Sequence, residues 1–105
     1  MVYIISEDRL VKLVDKYIAT VVGELIVTKS SHQFANKEDF DIVDKDGNMI
    51  FQYFARHLGV SQHLFSSISD LFSINQSVTE NLFQRWFEQK YPDIPLKDVY
   101  HSIYF

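Results

Sequence analysis

The sequence predicts an α+β fold: an N-terminal amphipathic helix, a small antiparallel sheet built on a β-hairpin, then a C-terminal helical hairpin with a short helical tail. Apolar residues recur every three or four positions near both ends of the chain and alternate with polar ones in the middle. With 105 residues, 47% of them hydrophobic, the chain can bury one core, so we predict a single domain. Its parts are a helix over residues 1–23, a hairpin or sheet over 24–54, a helical hairpin over 60–91 and an apolar tail over 92–105.

The first helix is predicted over residues 6–22. Ser6 can cap its exposed amides, and Glu7 and Asp8 fall in the first turn, where the helix dipole favours negative charge. Gly23 is a suitable residue to end it. The predicted buried stripe contains Leu10, Leu13, Val14, Tyr17 and Val21.

The middle of the chain is predicted to be β-structure. A short strand over residues 24–28 and a polar loop over 29–38 precede an alternating run over 39–42. The Asp46-Gly47 pair then supplies the positive φ angles of a tight turn, and residues 49–54 return as the second strand of an antiparallel hairpin.

Two helices are predicted in the last third. Ser61 can cap the first, and Ser77 and Glu80 have the capping-box spacing at the start of the second. The predicted buried residues of the first are Leu64, Phe65, Ile68, Leu71 and Phe72, and those of the second are Val78, Leu82, Phe83, Trp86 and Phe87.

The tail is unusually apolar for a chain end. Leu96, Val99, Tyr100, Ile103 and Tyr104 stand at helical spacing and Phe105 follows, in a chain with one Trp, six Tyr and nine Phe. Either the tail closes the core, or part of its aromatic surface stays exposed and binds a partner. The second interpretation makes Leu96, Tyr100, Tyr104 and Phe105 partner-binding residues, and it predicts that deletion after Leu96 removes binding while the rest still melts cooperatively.

A second candidate surface is acidic. Its five carboxylates are Glu38, Asp39, Asp41, Asp44 and Asp46. Such residues either form a solvated hairpin edge that resists unwanted strand pairing or an acidic patch that binds a basic surface.

The alternating Asp44, Asp46 and Asn48 also resemble part of a calcium loop. With Gly47 at the sixth position, the first and closing positions fall on Ile42 and Tyr53, so a hand-type calcium loop is excluded. Turn residues and a weak surface cation site remain as interpretations.

Residues 54–61 resemble the middle of a DNA-binding helix-turn-helix. The matching positions are Ala55, Gly59, Val60, Ser61, Phe65 and Ile68. The alternative DNA-contact residues would be Arg56, Gln62, His63 and Ser66. The motif requires a helix over about residues 50–58, whereas the Asp-Gly turn favours a strand over 49–54. The net charge of −4 also disfavours binding to a phosphate backbone.

No catalytic, metal or cofactor signature is present in the sequence. There is no cysteine, and His32, His57, His63 and His101 lack the spacing of a zinc site. The three glycines do not form a phosphate-binding loop, and there is no nucleophile elbow. We therefore expect that the protein is not an enzyme and binds neither a metal ion nor a cofactor. The short apolar run over residues 2–5 and the interrupted one over 17–27 predict neither a signal peptide nor a membrane span, so a cytoplasmic protein is expected.

Taken together, the order of these elements resembles small uncharacterised proteins encoded by tailed phages. The resemblance covers residues 5–91 and includes the Ser6 helix, the Asp46-Gly47 hairpin with Ile50-Phe51, the Ser61 helix and the Trp86 helix. It implies a phage or mobile-element accessory protein in the host cytoplasm and transfers no site residue.

The leading hypothesis from the sequence is a non-enzymatic module that binds a host or phage protein through aromatic surface, because aromatic anchors dominate many interfaces. A helix-turn-helix DNA-binding regulator and a self-assembling structural oligomer are the alternatives.

Overall fold

The computed structural model describes residues 6–31 and 34–105 and has an α+β fold with three helices and a five-stranded sheet. The elements in chain order are α1 (Glu7–Tyr17) with a π-helical continuation (Ile18–Val22), β1 (Ile26–Lys29), β2 (Phe40–Val43), β3 (Met49–Phe54), β4 (His57–Val60), α2 (Gln62–Phe72), α3 (Gln76–Lys90) and β5 (Asp98–His101).

The sheet is mostly antiparallel, and its strands lie in chain order from β1 to β5. Strands β1 to β4 form an antiparallel meander, and β5 joins β4 in parallel, with Val99 opposite Leu58.

The predicted hairpin is β2–β3, so residues 49–54 are a strand and not part of a helix. Of the predicted turn pair, Gly47 has a positive φ of 83° but Asp46 does not, so the prediction of positive φ at Asp46 is wrong. The Asp44 side chain accepts the Asp46 and Asn48 N–H groups and holds a longer turn instead.

The first helix starts at its predicted cap, since Ser6 Oγ accepts the Arg9 N–H at 3.3 Å. Its last turn widens into a π-helix, whose end is marked by Gly23 at φ 89° with its N–H bonded to the Ile18 oxygen. This positive φ requires glycine. Val21, predicted in the buried stripe, is 57% exposed because the wider turn rotates the end of the stripe away from the core.

Both later helices are capped, but one cap differs from the prediction. Ser61 Oγ accepts the Leu64 N–H at 3.3 Å, as expected. Helix α3 starts at Gln76 with Asn75 as its cap, and Asn75 Oδ1 accepts the Val78 N–H at 2.9 Å. The prediction of Ser77 as the cap is therefore wrong. Ser73 adopts a left-handed backbone conformation that turns the chain at the end of α2, so the cap of α3 falls on Asn75, two residues before Ser77.

Two apolar residues predicted in the helix stripes are exposed. Leu71 in the last turn of α2 is 57% exposed, and Val78 in the first turn of α3 is 39% exposed. The link between the helices is short, so both side chains lie at the same end of the helix pair, outside the core.

Aromatic stacking between α3 and the sheet forms the centre of the core. Phe51 on β3 stacks on Trp86 at 5.0 Å and meets Phe83 edge-on at 6.1 Å. Helix α1 packs on α3, where the Trp86 Nε1–H donates to Asp15 Oδ1 at 2.9 Å. The indole is thereby buried without losing a hydrogen bond.

The prediction of a helical tail is wrong over residues 98–101, which form β5. Val99 is buried at 6% exposure, and the Lys97 N–H donates to the Arg56 oxygen at 2.8 Å. The Tyr53 hydroxyl donates to the Pro95 oxygen just before this strand. The apolar positions at helical spacing gave a false signal, because Pro95 favours extended backbone before it and the free edge of β4 supplies hydrogen-bond partners after it.

Candidate protein-interaction surface

The Tyr100 ring lies directly over Gly59 on the neighbouring strand. A Cβ atom placed on Gly59 would come within 2.8 Å of Tyr100 Cζ, a distance that real side chains do not tolerate. Tyr100 is 39% exposed, and burial, followed by the nearby Asp98 carboxylate, raises the pKa of its hydroxyl above the ordinary value. Gly59 is one of the positions that match a helix-turn-helix in the sequence, but it lies inside β4 and makes room for an aromatic ring.

Residues 102–105 follow β5, and hydrogen bonds fix their backbone at Ser102, Tyr104 and Phe105. The Ser102 N–H donates to the Val60 oxygen at 2.9 Å, and the Tyr104 N–H donates to Ser102 Oγ at 3.1 Å. The main-chain oxygen of Phe105 accepts the Gln62 N–H, the first amide of α2, at 2.7 Å. Nevertheless, Ile103 is 76% and Tyr104 88% exposed. We call Ile103 and Tyr104 the tail pair.

The structure distributes the four predicted partner-binding residues over different environments. Leu96 is half-buried and packs on the core. Tyr100 covers Gly59, Tyr104 points into solvent, and Phe105 lines a groove between the end of α1 and the start of α2. Only Tyr104 is largely exposed, so the predicted aromatic surface is smaller than the sequence indicated.

The five carboxylates of the predicted acidic patch do not form one surface. Asp39 and Asp41 are buried at 6% and 3% exposure. Asp39 accepts the Asn36 N–H at 2.8 Å and the Ala55 N–H at 3.0 Å, and Asp41 accepts the Ser31 N–H at 2.9 Å. Both side chains therefore hold backbone amides, a role that charge patterning alone does not reveal.

The three remaining carboxylates lie at opposite ends of β2. Glu38 precedes the strand, while Asp44 and Asp46 follow it in the turn. Glu38 lines a depression of about 350 Å³ together with Arg56, Phe40 and other residues. A predicted acidic residue and a predicted DNA-contact residue are thus neighbours.

The turn after β2 is organised by Asp44. Its Oδ1 accepts the Asp46 and Asn48 N–H groups, both at 2.9 Å, and its Oδ2 accepts the Asn48 side-chain amide at 3.1 Å. The Asn48 side chain is the largest cause that lowers the pKa of Asp44, followed by the Asn48 backbone N–H. These bonds are those of a turn, and they occupy the oxygens that a metal ion would coordinate directly.

Residues 54–72 do not have helix-turn-helix geometry. The segment that would form the first helix is the β3–β4 hairpin, with Ala55 and Arg56 at its turn. Gln62, His63 and Ser66 share the first turns of α2, but Arg56 lies at the far end of β4, about 13 Å along the strand. The only positively charged candidate is thus separated from the other DNA-contact residues.

The described histidines do not converge. His57 Nδ1 lies within hydrogen-bonding distance of Asp98 Oδ1 across β4 and β5, and His101 stacks on Phe65 at 4.7 Å. His32 lies outside the described residues. Within residues 6–31 and 34–105, no three His, Cys, Asp or Glu side chains are close enough to hold a metal ion, and no helix is long and apolar enough to cross a membrane.

A similar protein of known function would indicate what this surface binds. Comparison of the chain with protein-family models, curated proteins and solved structures finds no match. Its role is therefore inferred from its own residues.

Proposed function

We propose that the chain is a non-enzymatic protein-interaction module that binds a partner protein through the tail pair. The observation that carries this proposal is the contrast between a fixed backbone and exposed apolar side chains at Ile103 and Tyr104. The resemblance to small phage-encoded proteins fits this role, with a host or phage protein as the partner.

A fixed and exposed aromatic residue favours binding for energetic reasons. A partner that covers Tyr104 gains the burial of a large ring, and the hydrogen bonds of the tail have already lowered the cost of ordering its backbone. Tyrosine is also enriched among residues that dominate binding energies. Tyr100, partly exposed two residues before Ser102, can extend the contact.

The test is affinity capture from the native cell, with mass spectrometry as the readout and purified partner titrated afterwards by calorimetry. The test variant carries Ile103→Ser and Tyr104→Ser. The matched control carries Leu71→Ser and Val78→Ser, two exposed apolar residues at the far end of α2 and the start of α3.

We expect the test variant to lose the partner, with an affinity at least about 30-fold weaker, because truncating a central aromatic anchor costs about 2 kcal/mol or more. The control should retain the partner. Capture of the same protein by both variants with equal affinity would refute the proposal.

A further inference from the structure

An apolar groove adjoins the tail. It has a volume of about 250 Å³ and lies where the π-helical end of α1, the start of β3 and the start of α2 meet. Val21, Met49 and Phe105 are among its lining residues. Val21 is 57% exposed, so the groove presents apolar side chains to solvent.

A larger depression of about 650 Å³ continues from this groove and is acidic. The two share Val21, Val22, Ile50 and His63 as lining residues. The outer part of the second depression carries Glu24, Asp44 and Asp46 against a single ammonium group, that of Lys45. We call these three carboxylates the acidic rim.

Hydrogen bonds to backbone groups hold the walls of the groove and the rim in place. Phe105 is fixed by its main-chain oxygen to the start of α2, and Asp44 fixes the turn that carries Asp46. An apolar surface and a negative surface thus stand next to each other in a preorganised arrangement, which lowers the cost of binding.

We infer that this groove binds a peptide segment of the partner protein in which a bulky apolar side chain is followed by lysine or arginine. The apolar side chain sits against Val21 and Phe105, and the basic residues face the acidic rim. The inference rests on the proposed function and specifies the chemistry of the partner.

Shape and charge favour this occupant over two others. Sites for small-molecule ligands usually bury most of the ligand, whereas the groove and the acidic depression beside it are open to solvent, as suits the side chains of a peptide. A second copy of the chain brings the same net charge of −4 to a negative surface, which opposes association.

The experiment uses a random 12-residue peptide library displayed on phage and selected on the immobilised full chain. Selection is repeated on Val21→Glu, which puts a carboxylate into the apolar groove, and on the double variant Glu24→Gln and Asp46→Asn, which neutralises two rim charges. Asp44 is kept because it holds the turn. Leu71→Glu is the matched control, since Leu71 and Val21 are equally exposed at 57%.

We expect the wild-type chain and Leu71→Glu to enrich peptides with an aromatic or branched aliphatic residue near two or more basic residues. Val21→Glu should enrich none of them. The rim variant should bind the same synthetic peptides about three- to tenfold more weakly at low salt, with a smaller loss at high salt.

Four results would overturn the inference: no enriched peptide, enrichment without basic residues, equal binding to Val21→Glu, or a concentration-dependent dimer that Val21→Glu abolishes in analytical ultracentrifugation. The capture assay separates this inference from the proposed function. If the tail-pair variant loses the captured partner and Val21→Glu keeps it, the interaction module stands and the groove inference fails. If the tail-pair variant and Val21→Glu both keep the captured partner, the proposed function and the groove inference both fail.

Discussion

At the scale of single residues, the contact between Gly59 and Tyr100 shows how a strand accommodates an aromatic ring. Glycine weakens a strand by about 0.5–1 kcal/mol relative to alanine. Here its missing side chain leaves the space that the tyrosine ring occupies. The ring is partly exposed, so it can move away when that space is filled.

A double-mutant cycle measures this contact. Gly59→Ala should be neutral or destabilising in the wild-type chain, because its Cβ displaces Tyr100, and stabilising by about 0.5 kcal/mol in a Tyr100→Ala background. Urea unfolding gives the four free energies of unfolding. Additive effects of the two substitutions would show that the ring does not depend on Gly59.

The turn carboxylate Asp44 gives a prediction about pH. Its pKa is lowered in the folded chain, so the bonds of the turn stabilise the fold above the ordinary value of 3.8 and are lost as the pH falls through the lowered pKa. Asn48→Ala removes the largest cause and should raise the pKa of Asp44, as measured by NMR titration of its carboxyl carbon.

Lys45→Ala is the control for this titration. The Lys45 charge is the smallest cause acting on Asp44, so this substitution should move the pKa less than Asn48→Ala does. An equal or larger movement would mean that charge, and not the hydrogen bonds of the turn, sets the pKa.

At the scale of elements, the turn of the β3–β4 hairpin has a strained backbone that could not be predicted from its sequence. Ala55 and Arg56 both have positive φ angles, 52° and 68°, where Asn and Gly are the usual residues. Asp39 helps to hold this turn by accepting the Ala55 N–H. The hairpin was not predicted because neither turn residue is typical of the conformation.

Replacing the turn by Ala55→Asn and Arg56→Gly should raise the free energy of unfolding by about 1 kcal/mol, because the left-handed conformation costs less for these residues. The measurement is urea unfolding, in which the midpoint concentration should rise while the dependence of the free energy of unfolding on urea concentration stays unchanged. Gly47→Ala is the control and should lower the free energy of unfolding, because Gly47 has a φ of 83°, which is unfavourable for alanine. A loss of stability in the Asn-Gly variant would contradict the strain at this turn.

At the scale of the whole molecule, the tail serves both the core and the surface. Residues 98–101 complete the sheet and bury Val99, whereas the tail pair that follows is exposed. Deletion of everything after Leu96 therefore removes a strand together with the proposed binding surface, so it cannot separate the two roles.

We accordingly expect deletion of residues 97–105 to lower the free energy of unfolding by at least about 2 kcal/mol, from the loss of the Val99 side chain alone. The Ile103→Ser and Tyr104→Ser variant should remain within about 0.5 kcal/mol of the wild type. Thermal unfolding followed by circular dichroism compares them. An unchanged melt of the deletion variant would mean that β5 contributes little to the fold.

The sequence by itself determined the elements whose signals are local. The Ser6 and Ser61 caps, the apolar stripes of the helices and the Asp-Gly turn of the β2–β3 hairpin are set by residues within a few positions of one another. These contacts form inside one element, so periodicity and cap chemistry predict most of them. The exceptions are the Ser77 cap and the exposed Val21, Leu71 and Val78, all of which lie at helix ends.

The tertiary structure decided everything that depends on distant residues. Strand β5 forms because β4, some 40 residues earlier, offers a free edge, and Asp39 and Asp41 are buried because loop amides reach their carboxylates. The groove likewise requires the ends of α1 and α2 and Phe105 to meet. Periodicity cannot report such contacts, because it records spacing along the chain and not which edge or amide lies opposite in space.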